Sequence, residues 1–491
     1  MASLETYLNK YLAKMKNKII NSYIIGAFLL LSACVPMLKN SQRQVASLPQ
    51  NFGNEALTDT SSQTARIQWK NYFNDTNLNL LIEEALKNNQ ELNIVLQEIQ
   101  MSQNEIMARK GEYLPFVGLR AGAGLDKVGE YTRQGAVEEN LKIMEDKSFP
   151  KPFTDYMIGA FAAWELDVWK KLRNAKKVAT LKYLSTVEGR NFLVTNLVAE
   201  IAYSYYELLA LDNLMEIIQQ NVEIQNTAYQ IVKQEKENAK VTQLAVNRFE
   251  AQLLNTQNLQ YEVKQRIVET ENRINFLLGR YPQPIPRSSR SFFDISLENV
   301  KTGIPSQLLA NRPDIRQAEL DLQAARLDVQ VAKANFYPSF RITAGAGFQA
   351  FNPSYLFSPQ SALYSLAGDM IAPLVNRNAI KATYFNANAK QIQMLYQYER
   401  TILNSYVEVV NQLAKAQNYQ QSYETKRQEV DILNQSVDIS NNLYRNARAD
   451  YMEVLLTQRE ALNEKLALVE IKSKVLEAKV GIYRALGGGW K

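Results

Sequence analysis

The chain contains no histidine and a single cysteine in 491 residues. The first absence removes Ser-His-Asp and Cys-His nucleophiles and His-ligated zinc or haem. The second removes thiolate zinc sites and intramolecular disulfides. Glycine and proline are scarce too, at 19 and 14 residues, below the usual shares of about 7% and 5%. A chain so poor in helix breakers is mostly helix. Net charge is +6, too dilute for a nucleic-acid surface, which clusters its Lys and Arg. No segment reaches the roughly 18 consecutive apolar residues of a membrane-spanning helix. Neither a cofactor nor nucleic acid is expected, and paired carboxylates such as Glu165 and Asp167 have no convergent base beside them that would mark an enzyme.

What is present begins with a leader. Lys16 and Lys18 precede an apolar core (Ile24, Ile25, residues 27–31) that ends in Leu31-Ser32-Ala33-Cys34. The run is too short to span a membrane but suits a secretory signal. Small residues before a cysteine resemble a bacterial lipobox, which predicts cleavage before Cys34 and acylation of its thiol. Val35 in the next position, rather than Asp, favours sorting to the outer membrane by the same resemblance. Residues 1–14 lie outside the pattern, and Met15 is an alternative start.

Proline spacing gives the architecture. No proline separates Pro152 from Pro282, and none follows Pro373. In the first stretch Leu193, Leu197, Ile201, Tyr205, Leu208, Leu211, Met215, Ile218 and Val222 recur at helical spacing. Residues 172–237 predict one helix about 100 Å long at 1.5 Å per residue. Residues 242–278 predict a shorter return helix, ended by Gly279-Arg280-Tyr281-Pro282. The hairpin then repeats 208 residues later: Glu200 recurs as Glu408, Val246 as Val454, Asn238-Ala239 as Asn446-Ala447 and Leu278-Gly279 as Leu486-Gly487. Upstream the offset is 223: Asn88-Asn89 meets Asn311-Arg312, and Ala121-Gly122-Ala123-Gly124 meets an identical Ala344-Gly345-Ala346-Gly347. The difference of 15 is an insertion between Gly124 and Trp164. Two fixed offsets over whole supersecondary units mean an internal duplication.

Each repeat also carries two segments of period 2. Phe340, Ile342, Ala344, Ala346 and Phe348 alternate with Arg341, Thr343, Gly345, Gly347 and Gln349; Val117, Leu119, Ala121, Ala123 and Leu125 alternate with glycines and Arg120. Residues 156–168 and, more weakly, 364–374 behave alike. Strands of about ten residues with one apolar face suit a transmembrane β-barrel, although a half-buried sheet alternates equally. Four strands cannot close a barrel, whose usual minimum is eight, so a barrel must be shared between chains. The fold class expected is mostly α with a transmembrane β-barrel contribution. The boundaries expected are residues 1–33 for the signal, 34–69 for a lipidated N-terminal segment, 70–280 for the first repeat, 281–305 for a connector and 306–491 for the second repeat and tail.

The run Gly303-Ile304-Pro305-Ser306-Gln307-Leu308-Leu309-Ala310-Asn311-Arg312-Pro313-Asp314-Ile315-Arg316-Gln317-Ala318-Glu319 resembles a signature of TolC-like outer-membrane efflux channels, in the lipoprotein branch serving resistance–nodulation–division multidrug pumps. Trp164-Glu165-Leu166-Asp167-Val168-Trp169 and Ala485-Leu486-Gly487-Gly488-Gly489-Trp490 match in the family's order. The resemblance implies a homotrimer with a 12-stranded β-barrel in the outer membrane and a periplasmic α-helical barrel. Its partners are outer-membrane lipid, a periplasmic adaptor and an inner-membrane efflux pump. It implies a passive conduit for drugs or other small molecules. The hairpin tips would dock the adaptor through Asn238, Ala239, Lys240, Asn446 and Ala447, and Arg448, Asp450 and Glu453 would form the periplasmic gate. Asn stands where the family usually has glycine, and Asn tolerates left-handed backbone. The Arg-Pro-Asp run is expected to start a helix, with Pro313 in the first turn and Asp314 at the positive dipole end. A protein-secretion conduit is the nearest alternative. A trimeric coiled-coil adhesin or scaffold would explain the helices but not the paired strands.

Overall fold

The computed structural model describes residues 35–38, 48–49, 51–52, 67–288, 292–295, 303–446 and 448–490. Three short helices open the first repeat: α1 (Trp69–Phe73), α2 (Thr76–Asn88) and α3 (Gln90–Tyr113). Strand β1 (Phe116–Asp126) follows, then helix α4 (Arg133–Asn140) and a small hairpin of β2 (Lys142–Met144) and β3 (Lys147–Ser148). Next come β4 (Phe153–Leu166), the 67-residue α5 (Lys171–Glu237) and the 35-residue α6 (Gln243–Leu277). The second repeat holds α7 (Leu308–Asn311), α8 (Pro313–Ala334), β5 (Ser339–Ala350), β6 (Ala362–Ile371), the 68-residue α9 (Asn378–Arg445) and the 35-residue α10 (Tyr451–Ala485). Long helix and return helix thus match in length between repeats, as the 208-residue offset requires.

The chain divides into two compact units. The first comprises Met1–Arg43, Met101–Tyr183 and Leu320–Leu395 and holds the sheet. That sheet is antiparallel throughout, in the order β1-β4-β5-β6. Two strand ends depart from the alternation pattern for local reasons. β4 stops at Leu166 because Asp167 leaves the ladder to accept hydrogen bonds from the Leu172 and Arg173 backbone N–H groups, both 2.9 Å, at the start of α5. β6 stops at Ile371, two residues before Pro373, which has no N–H to give a ladder. Helix α4 and the β2–β3 hairpin occupy the insertion; the Thr132 side chain caps α4, and Lys151 bridges to Glu139.

The second unit comprises Gln44–Gln100, Leu184–Glu319 and Tyr396–Lys491. Its core forms along α5, where Leu197, Val198, Ile201, Tyr205, Leu208 and Leu209 meet Val469, Leu476, Val480 and Tyr483 of α10, with Leu78 and Ile82 of α2. Tyr72 stacks on Tyr483 at 4.3 Å, and the two hydroxyls donate to the Lys479 and Ile67 carbonyls at 2.9 and 2.6 Å. The two aromatic bodies are buried while their hydroxyls are paired, which makes the burial of Tyr72 and Tyr483 favourable.

The duplication appears most plainly where each return helix ends. Gly279 (φ +71°) and Gly487 (φ +85°) take the left-handed conformation that closes a helix, and a Cβ there would lie 2.5 and 2.7 Å from the Asn88 and Asn311 carbonyl oxygens. In the first repeat Asn89 donates its amide N–H to the Leu277 carbonyl at 2.9 Å. In the second, Arg312 occupies the matching place and donates to the Ala485 carbonyl at 2.7 Å. Pro313 and Asp314 begin α8 as expected, but the buried Arg312 does more. It also reaches Asp314 at 2.8 Å and Glu408 at 2.8 Å, and Glu408 accepts from Arg484 at 2.6 Å. Burial works against the Arg312 charge, yet Asp314 and Glu408 hold its pKa above the ordinary arginine value. Arg312→Ala leaves Asp314 and a buried carbonyl unpaired, takes from Glu408 one of its two arginine partners, and is expected to cost about 3 kcal/mol or more. Asn89→Ala, which loses neutral hydrogen bonds, should cost about 1–2 kcal/mol. Thermal unfolding followed by circular dichroism checks the order; equal losses would contradict it.

Candidate functional site

The first tip joins α5 to α6. The Lys240 N–H reaches back to the Glu235 carbonyl and the Ala239 N–H to that of Lys236, both at 2.9 Å. This is the Schellman pattern, and its left-handed residue is Ala239 at φ +54°, not the Asn before it. Asn238 serves otherwise: its amide donates to the Gln234 carbonyl at 3.0 Å, capping the helix end. The second tip repeats the chemistry. Arg448 N–H reaches the Leu443 carbonyl at 2.9 Å, and the Asn446 amide donates to Asn442 at 2.7 Å. Ala447 lies outside the described residues, as does Cys34. Thr242 and Asp450, also 208 residues apart, cap the return helices.

Asp450 therefore has a local duty: its carboxylate accepts from the Met452 and Glu453 N–H groups at 2.7 and 3.1 Å. Arg448 and Glu453 are exposed, Arg448 two residues before this cap and Glu453 in the first turn of α10. Neither makes an ion pair within the chain among the described residues. Two features beside the tips carry no signal in the sequence. The Tyr444 hydroxyl donates to the Glu235 carboxylate, tying α9 to α5; burial, then the carboxylate, push the tyrosine pKa up. Val232, Ala245, Val246 and Phe249 form a small apolar cluster with Tyr451 and Leu455 packed against it. Residues more than 200 positions apart meet here, so no periodicity reports them.

In the sheet, the register unites the apolar positions. Leu119 is level with Ala160, Ala346 and Tyr364, and Val117 with Ala162, Ala344 and Leu366. One face is therefore apolar across all four strands, with Leu119 and Leu366 exposed at 89% and 78%. The other face carries Gly118, Arg120, Gly122, Asp155, Gly159, Arg341, Thr343 and Asp369. Aromatics gather at both ends. At one, Trp164 and Trp169 donate their indole N–H to the Tyr113 and Pro338 carbonyls at 3.1 and 2.7 Å, and Trp169 stacks on Tyr337 at 4.8 Å. At the other, Phe149, Phe153, Phe351 and Tyr355 form a chain of ring contacts. An apolar band between aromatic girdles is the signature of a membrane β-sheet. Val35 and Leu38 pack on Ala332, Phe336 and Tyr384, so the segment following Cys34 is anchored beside α8 and α9.

The family model for "Outer membrane efflux protein" matches residues 81–280 and 304–488. The chain is 24% identical over 469 residues to the probable outer membrane lipoprotein SilC of Salmonella typhimurium, covering 95% of this chain and 98% of that protein. It is 26% identical over 475 residues to the pyoverdine export outer membrane protein OpmQ of Pseudomonas aeruginosa, covering 96% and 97%. The open-state structure of the MtrE outer membrane channel of Neisseria gonorrhoeae superposes with a TM-score of 0.80 at 20% identity, over 93% of this chain and 99% of that one. Long duplicated hairpins, a lipid-facing sheet and a family match over both repeats lead to one conclusion: the chain belongs to the outer membrane efflux protein family.

Proposed function

We propose that three copies of this chain form the outer-membrane conduit of a tripartite efflux system, through which drugs or other small molecules pass without chemical change. The observation that carries this reading is the sheet. It has a continuous apolar face and two unpaired edges, β1 and β6, among the described residues. In lipid every backbone group must be paired, so such a sheet needs further strands from other copies. Three copies supply 12 strands, within the range of bacterial barrels. The tips are the surface offered to a periplasmic adaptor, which links the conduit to an inner-membrane pump. Asn238, Ala239, Lys240, Asn446 and Ala447 form that edge. Cys34, cleaved and acylated, anchors the chain in the membrane; the packing of Val35 and Leu38 beside the Trp169 end of the sheet supports this. A scaffold of long helices has no use for a sheet with a lipid-facing side.

The lipid-facing assignment is tested by Ala344→Lys, which is expected to cost about 2–4 kcal/mol per chain near the bilayer midplane and to reduce assembled protein in outer membranes. Thr343→Lys, on the opposite face, should assemble nearly normally. Equal defects would remove the assignment.

Cys34→Ala should leave folding and conductance intact while abolishing the acyl mass seen in intact-protein mass spectrometry. An unacylated Cys34 in the native protein would end the lipoprotein reading.

At the tips, Arg448 and Glu453 of neighbouring chains approach each other around a three-fold axis. Exposed ion pairs contribute about 0–1 kcal/mol each; three in a ring bias a two-state gate by about tenfold. Arg448→Ala should therefore raise spontaneous conductance in planar bilayers, and Glu453→Ala should lower cation preference. Unchanged conductance and selectivity in both would reduce these charges to a solvated edge.

A further inference from the structure

The two free edges of the sheet are nearly equal in length, β1 with 11 residues and β6 with 10. In a closed barrel of several copies they meet, β6 of one copy running antiparallel to β1 of the next. A repeated head-to-tail contact of this kind closes into a ring. Two constraints restrict the register of that seam. A slip of one residue would turn the apolar face of one copy towards the lumen, so lipid-facing Leu119 and Leu366 must stay on one side. Buried backbone groups must also be paired along the strands. Only two registers satisfy both. One sets Phe116 opposite the partner subunit's Ile371 and uses all of β6; the other sets Gly118 opposite the partner subunit's Ile371 and omits only the partner subunit's Ala362. A further slip of two residues leaves Met370 and Ile371, or Ala362 through Tyr364, without a partner.

In both registers the same two charges become neighbours. Arg120 faces the partner subunit's Asp369 either directly, with Cβ atoms about 5 Å apart, or diagonally at about 7–8 Å, within reach of an arginine. Resting on the trimeric reading above, we infer that each subunit seam is closed on its lumen side by an ion pair between Arg120 and the partner subunit's Asp369.

The charges within one chain fit this assignment. Arg120 makes no ion pair in its own chain among the described residues. Its strand neighbours on that face are Gly118 and Gly122, and its cross-strand partner is Gly159, followed by Gly347 on β5; its diagonal neighbours on β4, Met157 and Phe161, carry no charge to compete for it. Asp126, six residues along β1, is about 20 Å away, beyond two Debye lengths at physiological salt. Asp155 is engaged by the Gln349 amide at 2.9 and 3.0 Å. At the other end Arg341 stands between Glu165 and Asp369 in the register. Among the described residues neither carboxylate makes an ion pair with Arg341: Glu165 pairs with Lys171 at 3.5 Å, and Asp369, on the edge strand β6, has its other side open to the arginine across the seam. The exposed edge of one copy is thus electrically complementary to the opposite edge of the next.

The test is a charge exchange in the full-length protein, read as the thermal midpoint of the detergent-extracted trimer. Arg120→Asp and Asp369→Arg should each lower it by roughly 5 °C or more, and the double variant should recover most of that loss. Single variants that melt as wild type, or a double variant no better than the worse single, overturn the seam. A second measurement does not depend on stability. Arg120→Cys with Asp369→Cys should be crosslinked between subunits by a short bismaleimide, and neither single cysteine variant should be. A trimer that forms without this crosslink overturns the seam alone. A wild-type chain that is monomeric in the outer membrane overturns the channel reading and the seam with it.

Discussion

An unpaired backbone N–H or C=O in hydrocarbon costs several kcal/mol, and this sheet presents two rows of them. β1 and β6 are its edges, and nothing else among the described residues covers them. A soluble protein would blunt such edges with charge, proline or a covering helix. Here the edge strands carry Val117, Leu119, Leu125, Leu366 and Met370 on the exposed apolar face. One chain alone is therefore an incomplete object. Assembly satisfies the edges, lipid satisfies the face, and the lumen receives the other side, where small and polar residues are joined by Met157, Phe161 and Leu363. Conduction is a consequence of that division of surfaces rather than of any binding site.

The helical unit solves a different problem, that of fixing where a long hairpin ends. Both repeats place a left-handed glycine against the backbone carbonyl at the start of the following helix, and both send a side chain to the last carbonyls of the return helix. The chemistry nevertheless diverged. Asn89 works with a neutral hydrogen bond while Glu84 pairs with Arg280 nearby, at 2.7 Å. Arg312 combines both tasks in one buried guanidinium. A planar fork with five donors can serve two carboxylates and a carbonyl at once, which lysine cannot. That accounts for the Arg-Pro-Asp run as a structural fastening.

The tips show how little sequence is needed for a tight turn when capping is complete. Each has a main-chain closure, an asparagine folded back on its own helix, and a Thr or Asp capping the return helix. Asp450 thereby has one carboxylate oxygen engaged as a cap, while Arg445, Arg448 and Glu453 are exposed charges of the second tip without an ion pair among the described residues. Tyr444 and Glu235 add a bond between the two hairpins at the same level.

Much of this was legible in the residues alone. The absence of histidine, proline-free stretches, two fixed offsets and strand alternation determined the class, the duplication, the long helices to within a residue or two, and the apolar face of the four strands of the large sheet, though not the small β2–β3 hairpin. These are local or periodic properties, and one element's pattern suffices to read them. The sequence also located Pro313 and Asp314 as a helix start, but not the buried reach of Arg312 to Glu408 and Ala485, which lie 96 and 173 residues away. It pointed to Asn for the left-handed turn residue, whereas the backbone placed Ala239 there and used Asn238 as a cap, because the closing hydrogen bonds count residues from the last helical turn rather than by propensity. Above all, strand order and register were decided only in three dimensions. Alternation tells which side chains share a face within a strand, but only the pairing of strands brings Arg341 level with Asp369 and sets Arg120 opposite Gly159 at an open edge, without a charged neighbour across the sheet.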